Sequence, residues 1–346
     1  MAPVQNARLI YKSVPEGYPI PGQTTVYDTN DSIDLENAPL NGGFLAKTLI
    51  LSIDPFLRGK MRKPEKKSYS AEFKIGEPLY SYGVARVLRS ATPEVKVGQY
   101  ITGNFISFSE YAICPPTVLP SLTVVDKRPD LELRTYVGAA GMPGQTAYSG
   151  WKEHADPKPN DVVFVTTGAG PVGSLVIQLA KQAGCKVIAS AGSEDKVAFM
   201  KSIGADVAFN YKTTDTREVL QKEGPIDIYW DHVGGEILDA VIEFSAENAR
   251  LILCGSISGY NTGGAAPIKN LSMAVGKCLH LHGILVFRIF HKHAKAFWEE
   301  IPPKLASGEI KFREEVTKGL DKAGDVILAV QKGTNTGKAI VVVAEE

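Results

Sequence analysis

The feature that most constrains this chain is the hexapeptide GAGPVG, Gly168 to Gly173. It lies between an apolar run, VVFV at 162–165, and a helical repeat. Val172, Leu175, Val176, Leu179, Ala180 and Ala183 recur at the helical period, and Gly184 stops the run. Pro171 suits a first helical turn, where its missing N–H costs nothing. A second apolar strand, KVIAS at 186–190, follows at once. Strand, glycine loop, helix and strand in that order make a dinucleotide-binding unit rather than a flexible glycine turn. In such a unit Gly168 allows a tight turn, Gly170 lets the backbone approach a pyrophosphate, and Gly173 lets the helix pack on the strand. Ala169, Pro171 and Val172 complete the cradle, at a helix N-terminus that faces an anion.

The residues after the second strand bear on which dinucleotide binds. An acidic residue about 20 positions past the loop usually takes the ribose 2′-hydroxyl of NAD. Here that stretch is AGSEDK, 191–196. Ser193 reads as a helix N-cap, and the helix dipole alone explains Glu194 and Asp195 in the first turn. Lys196 opposes the same dipole, and a bound anion beside it would remove the conflict. A 2′-phosphate is the natural candidate, so charge placement favours NADP. A solvated surface lysine is the plainer alternative.

A chain of 346 residues exceeds one ordinary core, which implies two domains. Its 38 basic and 38 acidic residues balance, so no basic field draws it to nucleic acid or an anionic membrane. No apolar run approaches a membrane span and no signal-peptide pattern opens the chain, so a cytoplasmic protein is expected. Cys114, Cys185, Cys254 and Cys278 form no C-x-x-C pair and read as reduced thiols in apolar surroundings. The pairs His280/His282 and His291/His293 have no evident third ligand nearby, and the expectation is no metal.

Residues 1–134 carry short alternating runs at 44–53, 83–88 and 111–114 between Pro and Gly turns, the pattern of a mostly antiparallel, barrel-like domain. The basic stretch 60–67 reads as a solvated loop. Tyr80, Tyr82 and Phe105 belong either to the core or to an apolar pocket at the domain junction. The stretch 138–148 reads as a partly helical connection. Within 135–308, further strands at 205–211, 225–231, 251–255 and 279–286 alternate with helices, including 236–246 and 294–306. That alternation specifies a doubly wound parallel α/β sheet of the Rossmann type. A final strand at 339–343 returns the tail, 309–346, to the first domain.

Several landmarks then combine. They are DPFLR at 54–58, GMPG at 141–144 with TAY at 146–148, the GAGPVG loop, AGSEDK, FNYK at 209–212, VGG at 233–235, Cys254-Gly255 through Tyr260-Asn261, and GTNTGK at 333–338. With these, nearly the whole chain resembles the zinc-independent medium-chain dehydrogenase/reductases, specifically the NADPH-dependent alkenal/enone double-bond reductases and prostaglandin reductases. The resemblance implies a GroES-like β-barrel for the first domain, a homodimer, and NADP(H) as cofactor. It implies that Lys196 and Tyr211 hold the 2′-phosphate with Gly192 and Ser193 beside them. Met142, Pro143 and Thr146 would border the nicotinamide. Cys254, Gly255, Tyr260, the backbone of Ile284, Leu285 and Val286, and Asn335 would complete the cofactor cleft. Phe56, Tyr80, Tyr82, Val286 and Tyr260 would line the substrate pocket. Two positions depart from the pattern: Phe56 stands where the family often has tyrosine, and His232 where it often has asparagine, leaving the His232 backbone to approach the cofactor.

The activity implied is reduction of the C=C bond of α,β-unsaturated aldehydes and ketones, with hydride to the β-carbon, a proton to the α-carbon, and no metal. The protein must orient the alkene and stabilise a developing enolate oxygen. Tyr260 is the candidate group, either as proton donor or as the holder of a ribose hydroxyl, and both roles stay open. A quinone oxidoreductase of the same fold is the alternative enzyme, which fold alone does not separate. A non-catalytic NADPH-binding protein is the alternative of another class.

Overall fold

A computed structural model describes residues 2–346. The chain divides into two compact units, one running to Gly138 and joined by Glu314–Glu346, the other Ala139–Arg313. From sequence, the divisions fall at 134/135 and 308/309, four and five residues earlier along the chain.

The first unit is built on a seven-stranded sheet. Its path runs from Glu314–Lys318 through Lys338–Val342, Phe44–Ser52, Tyr80–Ser90 and Tyr100–Ser107 to Leu122–Val124, and Tyr111–Cys114 also pairs with Phe44–Ser52. All pairings are antiparallel except that of Glu314–Lys318 with Lys338–Val342. The tail therefore enters this sheet through two strands. Gly83 sits mid-strand because a Cβ there would stand 2.6 Å from the Ile50 carbonyl oxygen and 2.9 Å from Ile106 Cβ. Leu9, Phe44, Leu51, Leu57, Met61, Phe108, Ile327 and Val341 pack the core beneath the sheet.

The stretch 60–67 is not the solvated loop that its composition suggests. Lys60, Met61 and Arg62 are buried, and only from Lys63 onward is the segment exposed. Arg62 draws the segment around itself: Nη1 donates to the Gly59 carbonyl at 2.8 Å, Nε to Lys66 at 2.7 Å, and Nη2 to Ser70. A guanidinium satisfied by carbonyls tolerates burial that a bare charge does not.

The DPFLR segment is anchored in the same way. Asp54 Oδ1 lies 2.9 Å from Lys338 Nζ, which also donates to the Ile53 carbonyl at 2.7 Å, while Ser52 Oγ donates to Asp54 Oδ2. Arg58 donates to the carbonyls of Gly17, Met61 and Pro15.

The second unit is a six-stranded, wholly parallel sheet. Its order is Val207–Asn210, Lys186–Ala191, Val162–Val165, Ile226–Asp231, Ser245–Leu253 and His280–Gly283. Counted along this unit, that is the 3-2-1-4-5-6 order of a Rossmann sheet, whose direction of winding reverses between the first and fourth strands. Helices Pro171–Gln182, Glu194–Ser202, Thr216–Glu223 and Gly235–Phe244 alternate with the strands, and Met142–His154 precedes them. The expected sixth strand, 279–286, is shorter: it ends at Gly283, and Val286 opens a helix that runs to Ala306, well before the expected start at 294. The apolar run around 284–287 suits either element, and helical packing of Phe290 on Phe297 (5.5 Å between centroids) continues it as helix.

Candidate cofactor and substrate site

At the end of the first strand the chain turns at Thr167, whose φ of 49° makes it the left-handed residue of the turn expected at Gly168. Gly168 is required for packing instead, since a Cβ there would meet Met200 Sδ at 2.7 Å and Ala189 Cβ at 3.0 Å. Gly173 matches its expected role: a Cβ would stand 2.7 Å from the Thr167 carbonyl oxygen, so only glycine lets the helix close on the loop. Gly170 is the N-cap of Pro171–Gln182, with Pro171 and Val172 in the first turn and no side chain capping it. That leaves the positive end of a twelve-residue helix to an anion.

Across the reversal of the sheet, the fourth strand ends on a dense polar knot. Asp231 Oδ1 accepts from the Tyr229 hydroxyl at 2.7 Å and from the backbone N–H groups of Val233 and Gly234 at 2.8 and 2.9 Å. His232 is locked by both ring nitrogens: Nε2 accepts from Trp230 Nε1 at 3.1 Å, and Nδ1 lies 2.7 Å from the Thr166 carbonyl oxygen. An acceptor role for Nε2 and a donor role for Nδ1 define one neutral tautomer. Burial pushes His232 down to about 4, with the Thr166 hydrogen bond opposing the shift. Its ring is thus a weld between the first and fourth strands, not an acid or base.

The 2′-phosphate candidates converge at the end of the second strand. A Cβ on Gly192 would stand 3.1 Å from the Tyr211 hydroxyl and 3.2 Å from Lys212 Cε, so these two side chains lie over the glycine. Tyr211 is 51 % exposed, and its N–H donates to the Ala191 carbonyl at 3.1 Å. Ser193 is the N-cap of Glu194–Ser202 as expected, but its hydroxyl does not cap the helix. Lys196 is half-buried in the first turn. Lys212 was not singled out from the sequence, although FNYK contains it. A cavity of about 820 Å³ opens beside Tyr211 and Lys212 and reaches Arg217, Glu236 and Lys269.

Cys254 and Gly255 leave the fifth strand with their N–H groups on the Asp231 carbonyl, at 2.9 and 3.0 Å. Tyr260 follows the short 3₁₀ turn Ile257–Gly259 and folds back, its hydroxyl 3.5 Å from the Ser256 nitrogen and 3.4 Å from where a Gly255 Cβ would lie. Burial, followed by the charge of Asp231, pushes the Cys254 thiol up to about 12, so it stays protonated. Ile284 is buried, Leu285 caps the following helix, and Val286 is its first residue. In Met142–His154, Pro143 lies in the first turn and Thr146 Oγ1 donates to the Met142 carbonyl at 2.7 Å.

Phe56, Tyr80, Tyr82 and Asn335 belong to the first unit. Phe56 meets Tyr82 edge-on at 6.1 Å, and Tyr80 stacks on Phe105 at 5.1 Å, so the expected substrate aromatics form two half-buried ring pairs. Burial, then the negative charge of Asp54, pushes the Tyr82 hydroxyl up to about 12, which keeps it a donor. Asn335 Nδ2 donates to the Gly337 carbonyl at 2.8 Å. Among the described residues no three His, Cys, Asp or Glu side chains form a metal-binding group.

Residues 8–122 match the model for the N-terminal domain of oxidoreductase, and residues 171–301 the model for zinc-binding dehydrogenase. The chain is 38 % identical over 347 residues to a 2-alkenal reductase (NADP(+)-dependent) of Nicotiana tabacum, covering 99 % of both chains. It belongs to the zinc-independent alkenal-reductase branch of the medium-chain dehydrogenase/reductases. In that branch it is also 38 % identical over 311 residues to a (+)-pulegone reductase of Mentha piperita, covering 88 % of this chain and 89 % of that one. The crystal structure of CurA from Vibrio vulnificus in complex with NADPH superposes with a TM-score of 0.87 at 31 % identity, over 98 % of this chain and all of that one. The family confirms the Rossmann unit and the mixed-sheet unit as one known architecture.

Proposed function

We propose that this protein is an NADPH-dependent reductase of the C=C bond in α,β-unsaturated aldehydes and ketones. The observation that carries the cofactor half is the convergence of Tyr211 and Lys212 over Gly192, beside Ser193 and Lys196. Two cations, two hydroxyls and an uncapped helix start suit a phosphate, and the two carboxylates nearest in sequence are engaged elsewhere. Asp195 is held instead by Arg313 at 2.8 Å, and Glu194 by Asn210 at 3.0 Å. The loop 168–173 and the helix start at Gly170 hold the pyrophosphate. Cys254, Gly255, Tyr260, Ile284–Val286, Met142, Pro143 and Thr146 serve the cofactor from the second unit, with the His232 backbone alongside, and Asn335 is the cofactor residue of the first unit. Bound NADPH supplies the hydride.

The reaction half rests on the double-bond reductases among the relatives, together with the chain's own hydroxyls. Phe56, Tyr80 and Tyr82 are the substrate residues of the first unit and Val286 that of the second; the donor to the oxygen on which enolate charge grows is Tyr260 or Tyr82. Preorganised donors of this kind contribute several kcal/mol in a water-poor site, roughly 2.7–4 for one donor elsewhere. The reading also places the protein in the cytoplasm, in keeping with the exposed free thiol of Cys278. A homodimer is supported by the edge strand His280–Gly283, which has one neighbour in its sheet and leaves Leu281 exposed.

The test supplies NADPH with a medium-chain 2-alkenal, an enone and a small quinone in parallel and identifies each product. Saturated carbonyl compounds with the C=O intact are expected from the first two. Turnover confined to the quinone, or none at all, refutes the proposal. Replacing Tyr260 with Phe should lower kcat for the alkenal by about 10–100-fold, and an unchanged kcat would remove Tyr260 from the chemistry.

A further inference from the structure

Lys60 closes the short helix Leu57–Lys60 of the first unit and is only 3 % exposed. Its Nζ stands 3.4 Å from the centroid of the Tyr80 ring and 4.6 Å from that of Phe73. Phe73 meets Tyr80 edge-on at 5.3 Å, and Phe105 stacks on Tyr80 at 5.1 Å. Among the described residues no carboxylate, carbonyl or hydroxyl pairs with this amine. The contrast within the unit is plain. Lys338, equally buried, has Asp54 and the Ile53 carbonyl, and Arg62 has three carbonyls with Glu72 at 3.7 Å.

Ring faces attract a desolvated cation less strongly than water solvates an ammonium, so rings alone do not hold Lys60 charged. Burial, followed by the positive charge of Arg62, pushes its amine down to about 7. A large share of the group is therefore the free base near neutrality, and a free amine in an apolar pocket is a nucleophile. Tyr80 and Phe105 are themselves half-buried, whereas Phe73 on the other side of the amine is buried, so an aldehyde reaches the amine only by displacing the Tyr80 or Phe105 ring. Tyr80 is also one of the aromatics with which the proposed reductase receives its substrate, and the inference rests on that reading.

We propose that Lys60 is an aldehyde-capturing residue, its amine condensing with the carbonyl carbon of an apolar aldehyde inside the ring cage to give an imine and water. The nitrogen lone pair forms the C–N bond and the carbonyl oxygen takes up a proton, giving a carbinolamine. The C–O bond then breaks, the oxygen leaves as water with a second proton drawn from nitrogen, and C=N remains. Nothing is oxidised or reduced, and hydrolysis reverses the step. Aldehydes are thereby held in the pocket in a way that ketones, slower to condense, are not.

The experiment incubates the full-length protein with hexanal and cyanoborohydride, which fixes an imine as a secondary amine, and maps the modified lysines by peptide mass spectrometry. Hexanal has no C=C bond, so labelling is independent of turnover and of conjugate addition. Absence of alkenal reduction in the earlier assay is thus a separate failure from absence of labelling here. At about pH 7.4 the free-base fraction of Lys60 exceeds that of an exposed lysine by roughly 10²–10³-fold. After allowance for its weaker nucleophilicity, Lys60 should label at least about tenfold faster than Lys63, Lys66 and Lys67. Its rate should level off above about pH 8, whereas the amine of an unstructured lysine peptide reacts about tenfold faster with each further pH unit. Lys60→Met, an uncharged chain of similar length, should abolish that label and keep the wild-type circular dichroism. An unlabelled Lys60, or one sharing the rate of the exposed lysines or the pH slope of the peptide, overturns the proposal.

Discussion

The phosphate assignment makes a sharp prediction about cofactor choice. Lys196→Ala removes a cation from the cluster at Gly192 without touching the sheet, because Lys196 lies half-buried in the first turn of Glu194–Ser202. A hydrogen bond to a charged group is worth about 1.5–3 kcal/mol. Its loss should raise the KM for NADPH by about 10–100-fold. The KM for NADH, which has no 2′-phosphate, should change by less than about twofold, and kcat should hold, since uniform binding is what is lost. Gly192→Ala reaches the same site without altering charge. Its new methyl would stand 3.1 Å from the Tyr211 hydroxyl and 3.2 Å from Lys212 Cε, tighter than ordinary contact. Both atoms end flexible side chains, so the chain still folds, and Tyr211 and Lys212 give way. A selective rise of roughly 3–10-fold in the NADPH KM is expected, about half the energy of one such bond. Steady-state kinetics with both cofactors at saturating alkenal, supported by direct binding of each, is the assay. Equal rises for NADPH and NADH in either variant would refute the assignment.

Three further outcomes follow from the same geometry. Gly173→Ala would set a methyl 2.7 Å from the Thr167 carbonyl oxygen, a backbone atom that does not swing away, so calorimetric NADPH binding should weaken by at least about 100-fold. Near-normal binding would show that the loop yields. His232 is held neutral, with its value pushed down to about 4. The stability it supports is complete above the unfolded value of about 6.5 and falls as pH drops towards 4, by up to about 3 kcal/mol; denaturant titrations should show His232→Asn losing less stability over that window, and identical pH slopes would contradict the weld. Asp54→Ala strands the Lys338 ammonium beside the Ile53 carbonyl and should cost about 3–5 kcal/mol in urea unfolding, whereas Asp54→Leu with Lys338→Met should recover much of it; a double variant no better than the single would count against the pair.

What the sequence makes legible follows from how local the signal is. GAGPVG between two apolar strands states the nucleotide unit because strand, loop, helix and strand all fall within one short window, although the neighbours that require Gly168, Met200 and Ala189, lie outside the loop. The stretch 279–286 misleads because an apolar run carries no period to separate strand from helix, and only the packing of Phe290 on Phe297 decides it. Lys60 to Arg62 misleads for the opposite reason. Their charge suggests solvent, but carbonyls at positions 59, 66 and 70 come together only when the segment folds around Arg62. His232 depends on Thr166, 66 residues away, and Asp54 on Lys338, 284 residues away, so neither role is visible in a local window.

The landmarks that signal the family are for the most part frame rather than chemistry. Asp54 is tied to Lys338 of the GTNTGK segment, and Arg58 is tied to three carbonyls, two of them at Pro15 and Gly17. Position 56 lies between two such anchors, with its ring against Tyr82 at 6.1 Å. An anchored turn can exchange tyrosine for phenylalanine without moving, so the loss of a hydroxyl at Phe56 changes what the pocket can donate and leaves its shape. Phe56→Tyr should therefore restore a donor at little cost in stability, within about 0.5 kcal/mol for a half-buried site. If the substrate oxygen is held there, kcat/KM for an enone should rise about 5–10-fold, the worth of one neutral hydrogen bond. Loss of stability without any kinetic gain would show instead that the pocket has closed around the bare ring and takes its donor from Tyr82 or Tyr260.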